Sequence, residues 1–179
     1  VRILDVGVTS DRRVDSNFFE KLYPYPQSIT AVGTEDASFL EDEYPGLKFV
    51  RANGTFLPFD DNSFDLVVSF AVIEHVGERD NQKKFMHELC RVGKSCFVTT
   101  PNRWFPVEFH TGLPILHWLP PMIFRKILNT IGLKFWAKEE NLNLLTQDQL
   151  IECVPQSSTT EVINFRLLGV ISNLFFYIH

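Results

Sequence analysis

The chain has 179 residues, 45% of them hydrophobic and 22% charged, which is the size and balance of one globular domain. These proportions exclude a disordered, collagen-like or coiled-coil chain. Seventeen basic against 22 acidic residues leave a net charge of −5, so no long-range field draws in nucleic acid or an anionic membrane.

Residues 1–6 are a short β-branched apolar run closed by Gly7, the pattern of a strand buried on both faces. The chain starts without methionine and inside this strand, as a fragment or a processed chain would. It shows no basic segment followed by a long apolar stretch, so a signal peptide is not expected. A polar stretch, 9–16, leads to Asn17. With Glu20 three residues on, Asn17 reads as a capping box opening a helix that Pro24 stops. Strands are expected at 29–34, 47–51, 65–70 and 95–100. Helices are expected at 37–44 and at 80–92, where Phe85, Leu89 and Val92 make an apolar stripe that Gly93 ends. Apolar strands joined by helical crossovers require a parallel sheet with helices on both faces.

The rest is less regular. Pro120 and Pro121 open a helix reaching about Ile131, and Thr146 with Gln149 caps another that Pro155 stops. Strands at 161–168 and 172–177 lie too close together for a parallel crossover, so they pair as a hairpin. Cys90, Cys96 and Cys153 are odd in number and sit in apolar surroundings. They read as buried thiols of a reducing compartment, with a cytoplasmic setting expected.

Ligands of an open parallel sheet bind beyond the carboxyl ends of its strands. Strand one ends with Asp5, costly to bury unless hydrogen-bonded, and with Gly7, which allows a tight turn and close backbone approach. Strand two places Glu35 where a carboxylate can take both hydroxyls of a ribose. Strand three places Asn53 where an amide can meet an adenine edge. Each has a plainer alternative: Asp5 tying loop amides, Glu35 capping the next helix, and Asn53 serving an ordinary turn.

The segments ILDVG, VGTED, RANGTFLPFDDNSFDLVVSFAVIEHV and ELCRVGK together resemble the class I S-adenosylmethionine-dependent methyltransferase family, over about residues 1–101. The nearest branch is the type 11-like one, with its LPF-x-D-x-SFD and EHV signatures. The resemblance implies an α/β, Rossmann-like, doubly wound sheet of seven mostly parallel strands with an antiparallel last strand and helices on both faces. It also implies the cofactor S-adenosyl-L-methionine and methyl transfer to O, N, C or S. By the same resemblance, Asp5 and Gly7 lie under the methionine end. Glu35, or less readily Asp36, holds the ribose, and Asn53 with Gly54 faces the adenine. Ser69 and Phe70 stand beside the sulfonium, while Glu74 and His75 stand at the mouth of the acceptor side. The family's second and third motif glycines are replaced by Thr9 and Asp11, and the helices that usually precede strand one are missing. Two side chains at a close-approach site could crowd the cofactor, and Asp11 would repel a ligand carboxylate unless Arg12 or Arg13 paired with it. The lost glycines also disfavour a nicotinamide dinucleotide, whose pyrophosphate needs them.

For catalysis the candidates are Glu74, His75 and His110, with His75 read either as a general base or as a satisfied junction residue. The stretch 100–111 offers Asn102, Arg103, Glu108 and His110 among Trp104, Phe105 and Phe109, as an acceptor pocket would. No metal site is expected, because His87 and Glu88 lack a third ligand at Arg91 and the cysteines are not paired in spacing. The aromatic stretch 113–136, with Arg125 and Lys126, belongs to an insertion at about 101–145 of a single domain spanning 1–179. Packing on its own domain or on a second copy is preferred to peripheral membrane contact. The expected function is methyl transfer to a small-molecule or glycan-like acceptor, without a nucleic-acid partner. The alternative is a non-catalytic interaction module with a degenerate cofactor loop.

Overall fold

The computed structural model describes residues 1–13 and 16–179; positions 14 and 15 of the expected polar stretch lie outside the described residues. Seven strands form one sheet: β1 (Ile3–Val6), β2 (Ile29–Gly33), β3 (Lys48–Arg51), β4 (Leu66–Phe70), β5 (Cys96–Pro101), β6 (Thr160–Leu167) and β7 (Val170–Ile178). Their order is β3-β2-β1-β4-β5-β7-β6. The first five are mutually parallel, and β7 runs antiparallel to both β5 and β6. The order reverses between β1 and β4, which opens a crevice at the carboxyl ends of those strands.

Alternation along the strands assigns the two faces. Leu4, Val6 and Val32 join a core built on α3 (Arg79–Val92), which contributes Phe85, Met86, Leu89 and Val92. Ile29 and Ala31 point the other way, into a second cluster with Ala37, Leu40 and Leu47 around α2 (Phe39–Glu43). Helices therefore cover both faces, as the pattern required. Asp5 shares the outward parity of Ile3, toward α1 (Phe18–Leu22).

Most expected elements fall within a residue or two of their observed bounds. At Thr146 the capping box is made in full, each side chain bonding the other residue's backbone N–H at the start of α5 (Gln147–Ile151). The same reading fails at Asn17. Its backbone is left-handed, at φ 50°, and its side chain does not cap α1. The Asn17 amide instead accepts from Thr9 N–H and donates to the Thr9 carbonyl, both at 2.9 Å. Glu20, freed from capping, is turned into the protein and only 1% exposed.

The insertion has a small core of its own, with Phe124 and Leu128 of α4 (Pro121–Thr130) packed against Ala137, Leu142 and Leu144. It is sewn to the turn after β4 by Asn143, whose N–H donates to the Glu74 carbonyl and whose side chain donates to Gly77. Gln82 also donates to the Asn143 carbonyl. No helix among the described residues is long and apolar enough to cross a membrane. The cysteines are free; Cys96 and Cys153 are buried and Cys90 is half-buried.

Candidate functional site

A cleft of about 690 Å³ lies over the tips of β1, β2 and β4, within the usual size of a small-molecule site. Its floor is backbone. Gly7 has φ 127°, and a Cβ there would stand 2.1 Å from a Val72 methyl; one at Gly54 would stand 2.4 Å from the Phe85 ring. Both positions are held to glycine by the close approach of the protein's own side chains.

Of the residues read from the sequence as cofactor-binding, Asp5, Gly7, Glu35, Asn53, Gly54 and Phe70 line this cleft. Ser69 does not. It is fully buried, and its hydroxyl donates to the Val6 carbonyl at 2.8 Å, tying β4 to β1 beneath the floor. The capping alternative for Glu35 falls to its neighbour, because Asp36 accepts the Ser38 N–H at 3.0 Å and that bond holds its pKa down. Glu35 is exposed in the cleft and accepts the Ser10 hydroxyl. Asn53 does make the ordinary turn, its Oδ1 accepting from Thr55 N–H and hydroxyl, each at 3.0 Å. Its amide nitrogen makes no hydrogen bond among the described residues.

The two replaced glycines do not fill the crevice. Thr9 lines it, held at the backbone by Asn17, while Asp11 is drawn into a pair with Arg13 that lowers its pKa. Arg12 lies over the Phe39 ring at 4.3 Å.

Glu20, which the sequence presented only as a cap, is the main acid that sequence reasoning missed. It lines the cleft beside Asp5, close enough for the two carboxyls to share a hydrogen bond, and both its oxygens are buried. Burial first, and then the charge of Glu20, push the Asp5 carboxyl well above the usual range; burial raises Glu20 as well. Two acids sharing a buried corner resist joint ionisation. The signal lay in its setting, an acid in the run Phe18-Phe19-Glu20 that aromatic neighbours carry inward. Phe18 and Phe19 pack on Phe70 at 4.9 and 5.6 Å between ring centres.

At the other end the cleft is walled by His75 and by Phe135, Trp136, Glu140 and Asn141 of the insertion. Glu74 is not at the mouth. It is fully buried behind His75, with Oε2 accepting from the Thr100 hydroxyl at 2.9 Å, and burial raises its pKa. His110 packs edge-to-face on His75 at 4.7 Å and on Trp136 at 5.0 Å. Burial opposes a charge on His110, but Glu108 at 2.7 Å and then Glu74 outweigh it and raise its pKa. The other picks in 100–111 make contacts within the fold. Asn102 bonds Ile171 and Trp104, Arg103 donates to Leu119, and Phe105 stacks on Phe109.

A doubly wound sheet with a cleft at its reversal point is the arrangement in which open α/β proteins bind their ligands. Comparison sharpens this. The pattern of a family described as "Methyltransferase domain" matches residues 17–96. A "Probable S-adenosylmethionine-dependent methyltransferase" of Mycobacterium tuberculosis is 39% identical over 67 residues, covering 36% of this chain and 23% of that protein. A ubiquinone/menaquinone biosynthesis C-methyltransferase of Xylella fastidiosa is 35% identical over 81 residues, covering 41% of this chain and 32% of that protein. The matches thus span about a quarter to a third of these relatives' lengths. Among solved structures, an S-adenosylmethionine-dependent methyltransferase from Mesorhizobium loti superposes with TM-score 0.63 at 15% identity, over 99% of this chain and 90% of that one. The N-methyltransferase NodS of Bradyrhizobium japonicum, bound to S-adenosyl-L-homocysteine, gives 0.60 at 11%, over 99% and 76%. At these identities the structural likeness speaks for the fold. Residues 17–96 thus carry the pattern of a methyltransferase domain, and the chain as a whole shares the fold of S-adenosylmethionine-dependent methyltransferases.

Proposed function

We propose that the cleft binds S-adenosyl-L-methionine and that the chain transfers a methyl group from it to a small-molecule or glycan-like acceptor. The observation that carries this is the Asp5–Glu20 corner. Two buried carboxyls line a cleft that also holds Glu35, exposed at the next strand tip. An amino acid's ammonium answers the first, and a ribose diol the second. The leftover amide nitrogen of Asn53 and the floor at Gly54 suit a purine edge. When bound, the cofactor supplies an electrophilic methyl on a sulfonium. The residues around it have to orient, exclude water and keep the acceptor in line, and such positioning is worth several kcal/mol.

Glu74, His75 and His110 are assigned to the acceptor side, with Phe135 and Trp136 as a flat apolar wall suited to a sugar or ring face. The alternative, a non-catalytic module with a degenerate loop, is weakened by the pairing of Asp11 with Arg13 and the bracing of Thr9 by Asn17. The first draws Asp11 aside, and the second fixes Thr9 in the cleft wall. A cytoplasmic setting suits the three free thiols.

Calorimetric titration with S-adenosyl-L-homocysteine tests the reading. Micromolar binding that is lost in Glu35→Ala is expected. An intact fold without detectable binding would leave the interaction module.

A further inference from the structure

The acceptor-side cluster has a geometry that methyl transfer alone does not require. Glu74, His75 and His110 each bring one atom able to ligate a metal to within 4.8 Å of the other two. Both rings are already held through Nδ1. That of His75 is 2.6 Å from the Asn141 carbonyl, and that of His110 is 2.7 Å from a Glu108 oxygen. A carbonyl and a carboxylate only accept, so each Nδ1 carries the proton, and in the neutral ring Nε2 keeps the lone pair. Proteins orient metal-binding imidazoles by such an outer hydrogen bond. Glu108 is itself fixed, accepting from His110 N–H, Thr111 N–H and the Thr111 hydroxyl.

The third group is a buried acid short of a partner. Glu74 has no exposure, and its Oε1 makes no hydrogen bond. An unpaired carboxylate oxygen there is expensive unless a cation meets it. Trp136 packs on both histidines, with ring centres at 6.2 and 5.0 Å, and His75 faces the cleft. The cluster is therefore dry on one side and open on the other. A tetrahedral ion with bonds near 2.1 Å holds its ligand atoms about 3.4 Å apart, so each side chain would move inward by less than about 1 Å.

We propose that Glu74, His75 and His110 form a site for a divalent transition-metal ion, bound by two imidazole nitrogens and one carboxylate, with its remaining positions facing the cleft. Two nitrogens and an oxygen select ions of the zinc, cobalt or iron(II) kind over magnesium or calcium. The role of the site rests on the methyl-transfer reading of the neighbouring cleft. An acceptor hydroxyl on the ion loses its proton to water at lower pH than a free one. The oxygen–methyl bond then forms as the sulfur–methyl bond breaks, and the bonding pair stays on sulfur. The acceptor class this implies is one with a hydroxyl or another ionisable oxygen next to the reacting position.

The test uses the full chain, stripped with chelator and titrated separately with Zn²⁺, Co²⁺ and Mg²⁺. One equivalent of Zn²⁺ should bind, and Co²⁺ should give the visible d–d bands of a four- or five-coordinate ion. His110→Ala and Glu74→Gln should lose the bands, His87→Ala should keep them, and Glu108→Gln should weaken Zn²⁺ binding about 10- to 100-fold. If Glu74→Gln does not fold, His75→Ala takes its place. Absence of Co²⁺ bands, Zn²⁺ binding unchanged in His110→Ala, or binding of Mg²⁺ alone would each overturn the proposal. A parallel titration with S-adenosyl-L-homocysteine separates the two readings. Homocysteine derivative without metal sinks only the metal site, and metal without it sinks only the cofactor cleft.

Discussion

The two halves of the cleft are built differently. The cofactor half stands on strand tips, where register fixes each side chain: Asp5 lies between Ala31 and Val68 in the sheet, and Gly33 pairs with Arg51. The acceptor half is assembled from segments far apart in the chain, with Glu74 and His75 after β4, and His110 and Trp136 in the insertion after β5. Hydrogen bonds such as Asn143 to Glu74 hold it together, rather than a ladder. A sheet edge can be read from local pattern. A corner made by a folded-back insertion cannot, because its contacts depend on where distant loops land.

Five substitutions would break or sharpen that contrast. Glu35→Ala should weaken S-adenosyl-L-homocysteine binding by about 100-fold in calorimetry, the loss of two hydrogen bonds to a charged acceptor. If affinity changes less than about threefold, the ribose does not lie at this tip. Gly54→Ala forces a methyl into Phe85 and should cost about 1–3 kcal/mol in denaturant unfolding, with an unchanged m-value. An alanine tolerated without loss would mean that the floor is soft.

Glu20→Gln should weaken the same ligand about tenfold, one charge-assisted contact, and yet raise the melting temperature of the unliganded protein. The sign follows from the raised pKa values of Asp5 and Glu20. Their folded forms hold protons that the unfolded chain releases. Their penalty is thus absent below the ordinary carboxylate range and grows as pH rises through it toward the folded values. The melting-temperature gap between Glu20→Gln and the parent should therefore widen from pH 5 to pH 8. A gap that is constant with pH would show that the pair is not strained.

Asn17→Ala removes the brace on Thr9 and should cost about fivefold in affinity, roughly one hydrogen bond, while circular dichroism stays the same. His110→Ala, on the acceptor side, should leave affinity for S-adenosyl-L-homocysteine within about twofold. A large loss there would show that the two halves are coupled.

How far the sequence could be read follows the same division. The strands, their order of burial, the closing hairpin and the acids at tips one and two came from short apolar runs and the residues ending them. Ser69 was misjudged because a serine at a strand end looks alike whether it faces a ligand or, as here, the Val6 carbonyl below. Glu20 was hidden by a local rule. Asn-x-x-Glu satisfies the capping-box pattern, but Asn17 is taken by Thr9, eight positions back in sequence. Glu74, His75 and His110 were each picked singly as acid–base candidates. What the sequence lacked was their convergence, and with it any reason to think of a metal, since no ligand spacing relates positions 74, 75 and 110.

The Asp5–Glu20 corner has one more consequence. A positively charged head group entering there takes the place of a proton, so occupancy of the cleft and the hydrogen-ion activity of the medium are exchange partners. Uptake of such a ligand should acidify an unbuffered solution, and its apparent heat should differ between phosphate and Tris by the ionisation enthalpy of the buffer.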